Sequence, residues 1–192
     1  MGNTKQTYKY KIKGSILSKG QDEYTLSKNE YYCLYSFFVT YSMCGSQSAK
    51  KRTFMDYGWH ENNIKNTELG IALSEVLNLN RNSDFTFTVR DDLSVQFNKC
   101  NLKDGFLVDV DCERAVIGIT RGSNNYLRLF YRVRNGLAHG RFNLRFSSKN
   151  EKMVVIQDND KDNVTARIVI KLNTLLKFIK AIDINGIILW EA

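Results

Sequence analysis

Between Tyr126 and Arg141 the chain reads as a two-sided helix, and that stretch limits every fold the rest can adopt. At about 100° per residue, Tyr126, Leu129, Phe130, Val133 and Leu137 fall on one narrow apolar face, while Arg128, Arg132, Asn135 and His139 lie close together on the opposite one. Ser123 stands at an N-cap position, and Gly140 sits where a helix stops. One side needs a core to pack on. The other offers two guanidinium groups, an amide and an imidazole to whatever lies outside.

Beyond this helix the chain reads as β structure. Arg141–Phe146, Met153–Gln157 and Val164–Lys171 are separated by polar tracts, which predicts an antiparallel meander. Asp158, Asp160 and Asp162 alternate loosely as in a calcium loop. No glycine at the sixth position and no glutamate at the twelfth accompany them, so they read as a solvated turn. A last helix from Leu172 to about Ile184 would bury Leu172, Leu175, Leu176, Ile179 and Ile182, and Ile187–Trp190 closes the chain.

Upstream the signals are mixed. Residues 7–13 alternate strictly, predicting a strand with Tyr8, Tyr10 and Ile12 inward and the lysines solvated. Ser27 and Glu30 have the capping-box spacing of a helix running to about Ser42. Its aromatics, Tyr31, Tyr35, Phe37, Phe38 and Tyr41, recur at helical spacing and read as core rather than as a cofactor pocket. A Gly/Ser/Lys-rich connection over 43–62 carries Trp59 and His60. Leu69, Ala72, Leu73, Val76 and Leu77 predict a helix over 66–79. Phe85, Phe87 and Val89 alternate with threonines and precede Leu93–Phe97 across an Arg-Asp-Asp turn, which predicts a hairpin. Residues 106–119 combine a short strand, Phe106–Val110, with a segment from Asp111 compatible with helix. The class is therefore α+β. One domain over 1–192 is expected, since the chain has no internal repeat and no proline to mark a linker.

A hydrophobic share of 43% and an aromatic share of 12% argue against disorder. No apolar run approaches the ~20 residues of a membrane span, and the N-terminus is too polar for a signal peptide, so a cytoplasmic protein is expected. Gly2 with Thr4 does not match a myristoylation site. Cys33, Cys44, Cys100 and Cys112 form no C-x-x-C pair, which argues against zinc and for free thiols in a reducing compartment. No metal or cofactor is implied. The net charge of +8 admits a polyanionic partner. From Arg114 to Asn150 there are eight basic residues (Arg114, Arg121, Arg128, Arg132, Arg134, Arg141, Arg145, Lys149) and no Asp or Glu, so the charge concentrates on the stretch that carries His139.

Arg134-Asn135-Gly136-Leu137-Ala138-His139 resembles the Arg-x4–6-His motif, in its Arg-Asn-x-x-x-His form, of the HEPN superfamily. Those are small, mainly helical proteins, many of them metal-independent ribonucleases of toxin–antitoxin, abortive-infection and CRISPR systems. The setting is similar to a plasmid-borne bacterial HEPN group in which the motif helix ends in His-Gly and leads into strands and a last helix. The likeness is firm over about residues 123–146, extends more loosely to 184 and does not reach residues before 110. His60 has no arginine at the motif distance, so only His139 qualifies. The resemblance implies a HEPN-like helical bundle, with the meander after the motif helix and a small N-terminal β element. It implies an endoribonuclease, a toxin or anti-phage effector, that leaves a 2′,3′-cyclic phosphate and works as a homodimer with paired motif helices forming one cleft. On it, Arg134, Asn135 and His139 are catalytic, and Arg128, Arg132, Arg141 and Arg145 bind RNA; an antitoxin or sensor protein is the implied regulator. Some HEPN toxins carry a tyrosine two residues past the histidine that a partner nucleotidyltransferase modifies. Arg141 stands there, which puts that style of neutralisation in doubt.

The residue types suit the chemistry. Cleaving RNA without a metal requires the 2′-hydroxyl deprotonated, the leaving oxygen protonated and the crowded phosphate stabilised. Histidine titrates near neutral pH and serves as acid or base. Arginine stays cationic and grips two phosphate oxygens with its planar fork. Asn135 lies one turn before His139, where its amide can orient the ring. The spacing leaves a question, because Arg134 lies about 140° around the helix from His139 whereas Arg132 lies within about 20° and fits the looser motif. Either Gly136 distorts the helix, or Arg134 reaches the partner's histidine across a dimer, or Arg132 shares the phosphate role.

Plainer readings stand beside these. His139 can simply cap a helix C-terminus, where the dipole favours a cation; Arg128 and Arg132 can be solvent-facing charges; Tyr131 can be packing. A non-catalytic RNA- or nucleotide-binding module, or a scaffolding subunit of a defence complex, would bind RNA with steep salt dependence and leave it intact. A DNA-binding regulator is disfavoured, because the basic helix runs directly into a strand with no helix-turn-helix around it.

Overall fold

Ser27 launches the first helix by reciprocal capping. In the computed structural model, which describes residues 12, 14–20, 22–43, 50–59, 68–77, 85–89, 92–119 and 124–188, the Glu30 backbone N–H donates to Ser27 Oγ at 3.2 Å. In return the Ser27 N–H donates to the Glu30 carboxylate at 2.8 Å. Helix α1 (Lys28–Tyr35) passes into a π-helical turn, Ser36–Thr40. The chain continues through α2 (Glu68–Leu77), β1 (Phe85–Thr88), α3 (Leu93–Lys99), β2 (Arg114–Gly118) and α4 (Asn125–Ala138). It ends with β3 (Phe142–Phe146), β4 (Lys152–Asp160), β5 (Asn163–Lys171) and α5 (Leu172–Ile182). The strands form one sheet in the order β1-β2-β5-β4-β3, with β1 parallel to β2 and every other pair antiparallel.

Both faces of this sheet are covered, which is why β2, β4 and β5 read as nearly continuous apolar runs. On one face Ala115, Ile117, Val154, Ile156, Ala166, Ile168 and Ile170 meet Leu129, Phe130, Val133 and Leu137 of α4, Phe37 and Phe38 of the π turn, and Phe178 and Ile179 of α5. On the other, Val116, Met153, Val155 and Val169 meet Leu93 and Phe97 of α3 together with Leu102, Leu107 and Val110. Each such side chain contributes about 1.5–3 kcal/mol when fully buried. The α+β class and the β3-β4-β5 meander agree with the sequence expectation. The helices do touch one another, α1 and α2 on α5 and the π turn on α4, but a sheet stands at the centre.

Four expectations are corrected. The hairpin over 85–97 is a strand followed by a helix. Leu93 and Phe97 are both 2% exposed while Val95 is 49% exposed, so the i, i+4 period prevails over the alternation that the same residues also satisfy. In 106–119 the strand is Arg114–Gly118, buried at every position between β1 and β5, whereas 106–110 is irregular. β4 runs three residues beyond Gln157, so Asp158 lies in the sheet and is 1% exposed rather than part of a solvated turn. The aromatic set of the first helix is divided: Phe37 and Phe38 are core, while Tyr31 is 53% exposed.

Of residues 7–13 the structure describes Ile12, whose carbonyl accepts the Val164 N–H at 3.0 Å; Tyr8, Tyr10, Cys44, His60, Arg121, Ser123 and Trp190 lie outside the described residues. Among those described, no helix is long and apolar enough to cross a membrane.

Candidate functional site at the end of the basic helix

Helix α4 is fixed at both ends by local chemistry. Asn124, and not Ser123 as the sequence suggested, is the N-cap, its Oδ1 accepting the Leu127 N–H at 2.9 Å. At the other end the Arg141 N–H donates to Gly136 O at 2.8 Å and the Gly140 N–H to Leu137 O at 3.2 Å, with Gly140 at φ +62°. That pair of bonds is a Schellman motif, and glycine is the residue that adopts its left-handed position without strain. It turns the chain sharply into β3. His139 is the C-cap residue, its backbone N–H bonded to Asn135 O at 3.0 Å and its ring exposed.

Gly136 does not distort the helix, which is continuous through it. It allows close approach instead: a Cβ there would lie 2.2 Å from Ile156 Cγ2 on β4. The polar end of α4 is thereby pressed onto the strand that carries Asp158, two residues further along and on the same face as Ile156.

Arg132, placed by the sequence on the wet face beside His139, is buried. Its Nη1 donates to Asp158 Oδ2 at 2.6 Å and to Thr165 Oγ1 at 3.0 Å, and its Nη2 donates to Gly118 O at 3.3 Å. One guanidinium thus ties α4 to β2, β5 and β4, three neighbouring strands. Thr165 is available because of a bulge: Asp158 pairs with Ala166 and Asn159 with Val164, which leaves Thr165 without a cross-strand partner and re-aims its side chain. Asp158 Oδ1 is buried with no hydrogen-bond partner.

Asn135 extends this network outward. Its Nδ2 lies 3.5 Å from Asp158 Oδ2, at the limit of a hydrogen bond, and its Oδ1 accepts from Arg134 Nη1 at 3.0 Å. The amide expected to orient the imidazole instead joins the buried acid to Arg134. That bond draws the Arg134 head group towards the helix face shared by Asn135 and His139.

The remaining sequence-picked cations divide. Arg141 Nη1 donates to Asn159 O at 3.3 Å, beside Asp158 on β4. Arg128 Nη1 donates to Asn125 Oδ1 at 2.9 Å, and desolvation pulls its pKa below the ordinary arginine value. Arg145 is spent internally: its Nε donates to Glu23 Oε1 and its Nη1 to Leu107 O, each at 2.6 Å, and its guanidinium sits 4.8 Å over the Phe106 ring. Arg132 and Arg145, both expected to contact RNA, are therefore structural ties in this fold. Arg134, Asn135, His139 and Arg141 follow one another through the last turn of α4 and the Schellman turn beyond it.

The sequence reads Asp158 as part of a solvated turn, and it does not single out Thr165 or the Gly118 carbonyl. The only trace is that Asp158 continues the alternation of Val154 and Ile156 by one step. Among the described residues no group of three or more His, Cys, Asp or Glu side chains is placed to hold a metal ion. Compared with family models, with curated proteins and with solved structures, the chain has no match.

Proposed function

We propose that the chain is an endoribonuclease whose active site is the end of α4, completed by a second copy of the same chain. Supporting this reading is the hydrogen bond from Arg134 to Asn135 beside an exposed His139, on a helix whose acid-free sequence leaves Arg141 next to it. In the proposed reaction His139 removes the proton of the 2′-hydroxyl, that oxygen attacks the adjacent phosphorus, and the 5′-oxygen leaves with a proton. The products are a 2′,3′-cyclic phosphate and a 5′-hydroxyl end. Arg134 neutralises the crowded phosphate, and Asn135 with Asp158 behind it holds Arg134 in place. The second imidazole that protonates the leaving oxygen comes from the partner chain. A toxin or anti-phage role fits such an activity.

The test is incubation of the purified chain with tRNA and total RNA in EDTA, with analysis of the new ends. His139→Ala should slow cleavage by about 10²–10⁴-fold, the usual contribution of a positioned acid or base, and specific activity should fall on dilution as the dimer dissociates. Intact RNA with the wild type, or equal cleavage by His139→Ala, refutes the proposal. One observation favours a second reading, an RNA-binding or scaffolding subunit without activity: Asn135 serves Arg134 and Asp158 rather than the imidazole. Under that reading RNA is bound and left whole.

A further inference from the structure

Helix α1 carries a feature that the candidate nuclease does not use. Lys28, Tyr31, Tyr32 and Tyr35 recur at i, i+3, i+4 and i+7, forming a stripe on one face while Cys33 and Leu34 turn to the core. Tyr31 and Tyr32 are 53% and 42% exposed, a concentration of aromatic surface that a helix needing only to pack would bury. The Tyr31 and Tyr35 rings are stacked, with centroids 4.3 Å apart and planes 24° from parallel. With Asn29, Ser36 and Thr40 the stripe lines an open groove of about 670 Å³, within the range of about 300–1,000 Å³ typical of ligand sites.

This groove adjoins the end of α4. Tyr35 Oη donates to Leu137 O at 3.4 Å, two residues before His139. At the other end, beyond Thr40, Lys50 and Arg52 lie 5.8 and 5.4 Å over the Tyr41 ring. No carboxylate is among the described lining residues, and Glu30 is held away by Lys152 at 2.8 Å. The described cations around the groove are Lys28, Lys50 and Arg52, with Asp56 near Arg52; the walls are planar and aromatic, and the inner end reaches the last turn of α4.

We infer that the Tyr31–Tyr35 stack is a platform for an unpaired nucleobase, so that the substrate is single-stranded RNA laid from the α1 groove to the end of α4. The inference rests on the proposed RNA chemistry and specifies its substrate class. Base stacking on aromatic rings suits single strands of any sequence, because every base has a π face; a duplex keeps its bases inside. The outer face of Tyr31 is where the next ring would stack, and Lys28 is placed for the adjoining phosphate.

The test uses the full-length chain carrying His139→Ala, so that RNA stays intact if the nuclease proposal holds. Binding of a fluorescein-labelled oligouridylate of about twelve nucleotides, a length within the site sizes of single-strand binders, is compared with that of an RNA duplex of equal length. Adding Tyr31→Ala should weaken single-strand binding by about 5- to 150-fold, the range for loss of one stacked base, and leave duplex affinity unchanged. Tyr31→Trp and Tyr35→Phe, which keep a ring at each position, should retain the affinity. Tyr31 is more than half exposed, so a melting curve matching the parent confirms that folding is not what changed. Unchanged single-strand affinity in Tyr31→Ala overturns the inference, as does conversion of a dimer to a monomer by that substitution, which would assign the groove to a second copy. The nuclease and the platform fail separately. A wild type that does not cleave, with Tyr31-dependent binding, removes the nuclease and keeps the platform. His139-dependent cleavage with Tyr31→Ala silent in affinity and rate removes the platform alone.

Discussion

Replacing Arg132 by methionine separates a catalytic arginine from a structural one. The Arg132 and Asp158 side chains are 9% and 1% exposed and 2.6 Å apart. Removing one member of such a pair strands the other charge in the interior and costs about 3–5 kcal/mol. Methionine keeps most of the aliphatic stem, so the loss is polar and not a cavity. For a chain of this size each kcal/mol moves the melting temperature by about 2–4 °C, so Arg132→Met should lower Tm by about 6–20 °C. Asp158→Asn should do comparable harm from the other side. The double variant Arg132→Met/Asp158→Leu should recover most of the loss, because an apolar replacement of a buried pair is often neutral or stabilising. Circular dichroism melts of the three variants decide it. An Arg132→Met protein melting within about 2 °C of wild type while losing RNA affinity would show that this guanidinium serves phosphate, and the structural assignment would fall.

Other consequences can be measured alongside. Gly136→Ala should destabilise: overpacking against Ile156 costs about 1–3 kcal/mol against about 1 kcal/mol gained in helix propensity, with a smaller loss in an Ile156→Ala background; a more stable single variant would deny the close contact. Ser27→Ala should cost about 1 kcal/mol in urea unfolding, since it removes the hydroxyl that accepts the Glu30 N–H and leaves only the return bond from the residue 27 backbone N–H to the Glu30 carboxylate, and no change would mean α1 does not depend on it. The Phe146 backbone N–H, opposed by desolvation and reinforced by Arg145, holds the Glu23 carboxyl below its ordinary value. A depressed folded-state pKa stabilises above the unfolded value of about 4.5 and is lost as pH falls through the folded one, so Glu23→Gln should flatten the acid side of a Tm–pH profile. Parallel profiles would sink that assignment.

Legibility in the sequence depends on whether one period or two fit the residues. α4, α5 and the β3-β4-β5 meander have unambiguous patterns, and their boundaries in the fold differ by a residue or two at most ends. Leu93-Ser-Val-Gln-Phe97 satisfies alternation and i, i+4 spacing equally, and only tertiary contact with β1 and β2 selects the helix. Tyr31 and Tyr35 share helical spacing with Phe37 and Phe38, yet the π turn at Ser36–Thr40 rotates the later pair inward relative to the tyrosines. No local pattern announces such a turn. At the site, His139 and Arg134 stand out because a motif names them. Asp158 does not, since a carboxylate in a polar tract looks solvated until a bulge 7 residues away and an arginine 26 residues away enclose it.

An acid-free sequence is not the same as a basic surface, and the salt dependence of RNA binding distinguishes them. Five arginines of the α4–β3 region, Arg128, Arg132, Arg134, Arg141 and Arg145, carry the positive charge expected to meet phosphate. The fold brings acids to two of them from elsewhere, Asp158 to Arg132 and Glu23 to Arg145, while Arg134 bonds a neutral amide and Arg141 a backbone carbonyl. Each phosphate contact on a single strand contributes about −0.7 to the slope of log K against log salt, so two contacts per protomer, from Arg134 and Arg141, give about −1.4 and five give about −3.5. Titrating the His139→Ala chain with single-stranded RNA between about 50 and 200 mM salt should return the shallower value. Arg134→Gln and Arg141→Gln should each flatten it by about 0.7, and Arg145→Gln should leave it alone. A slope near the steeper value, flattened by Arg145→Gln, would mean that RNA outcompetes Glu23 for its arginine. The division between structural and ligand-facing cations would then be wrong.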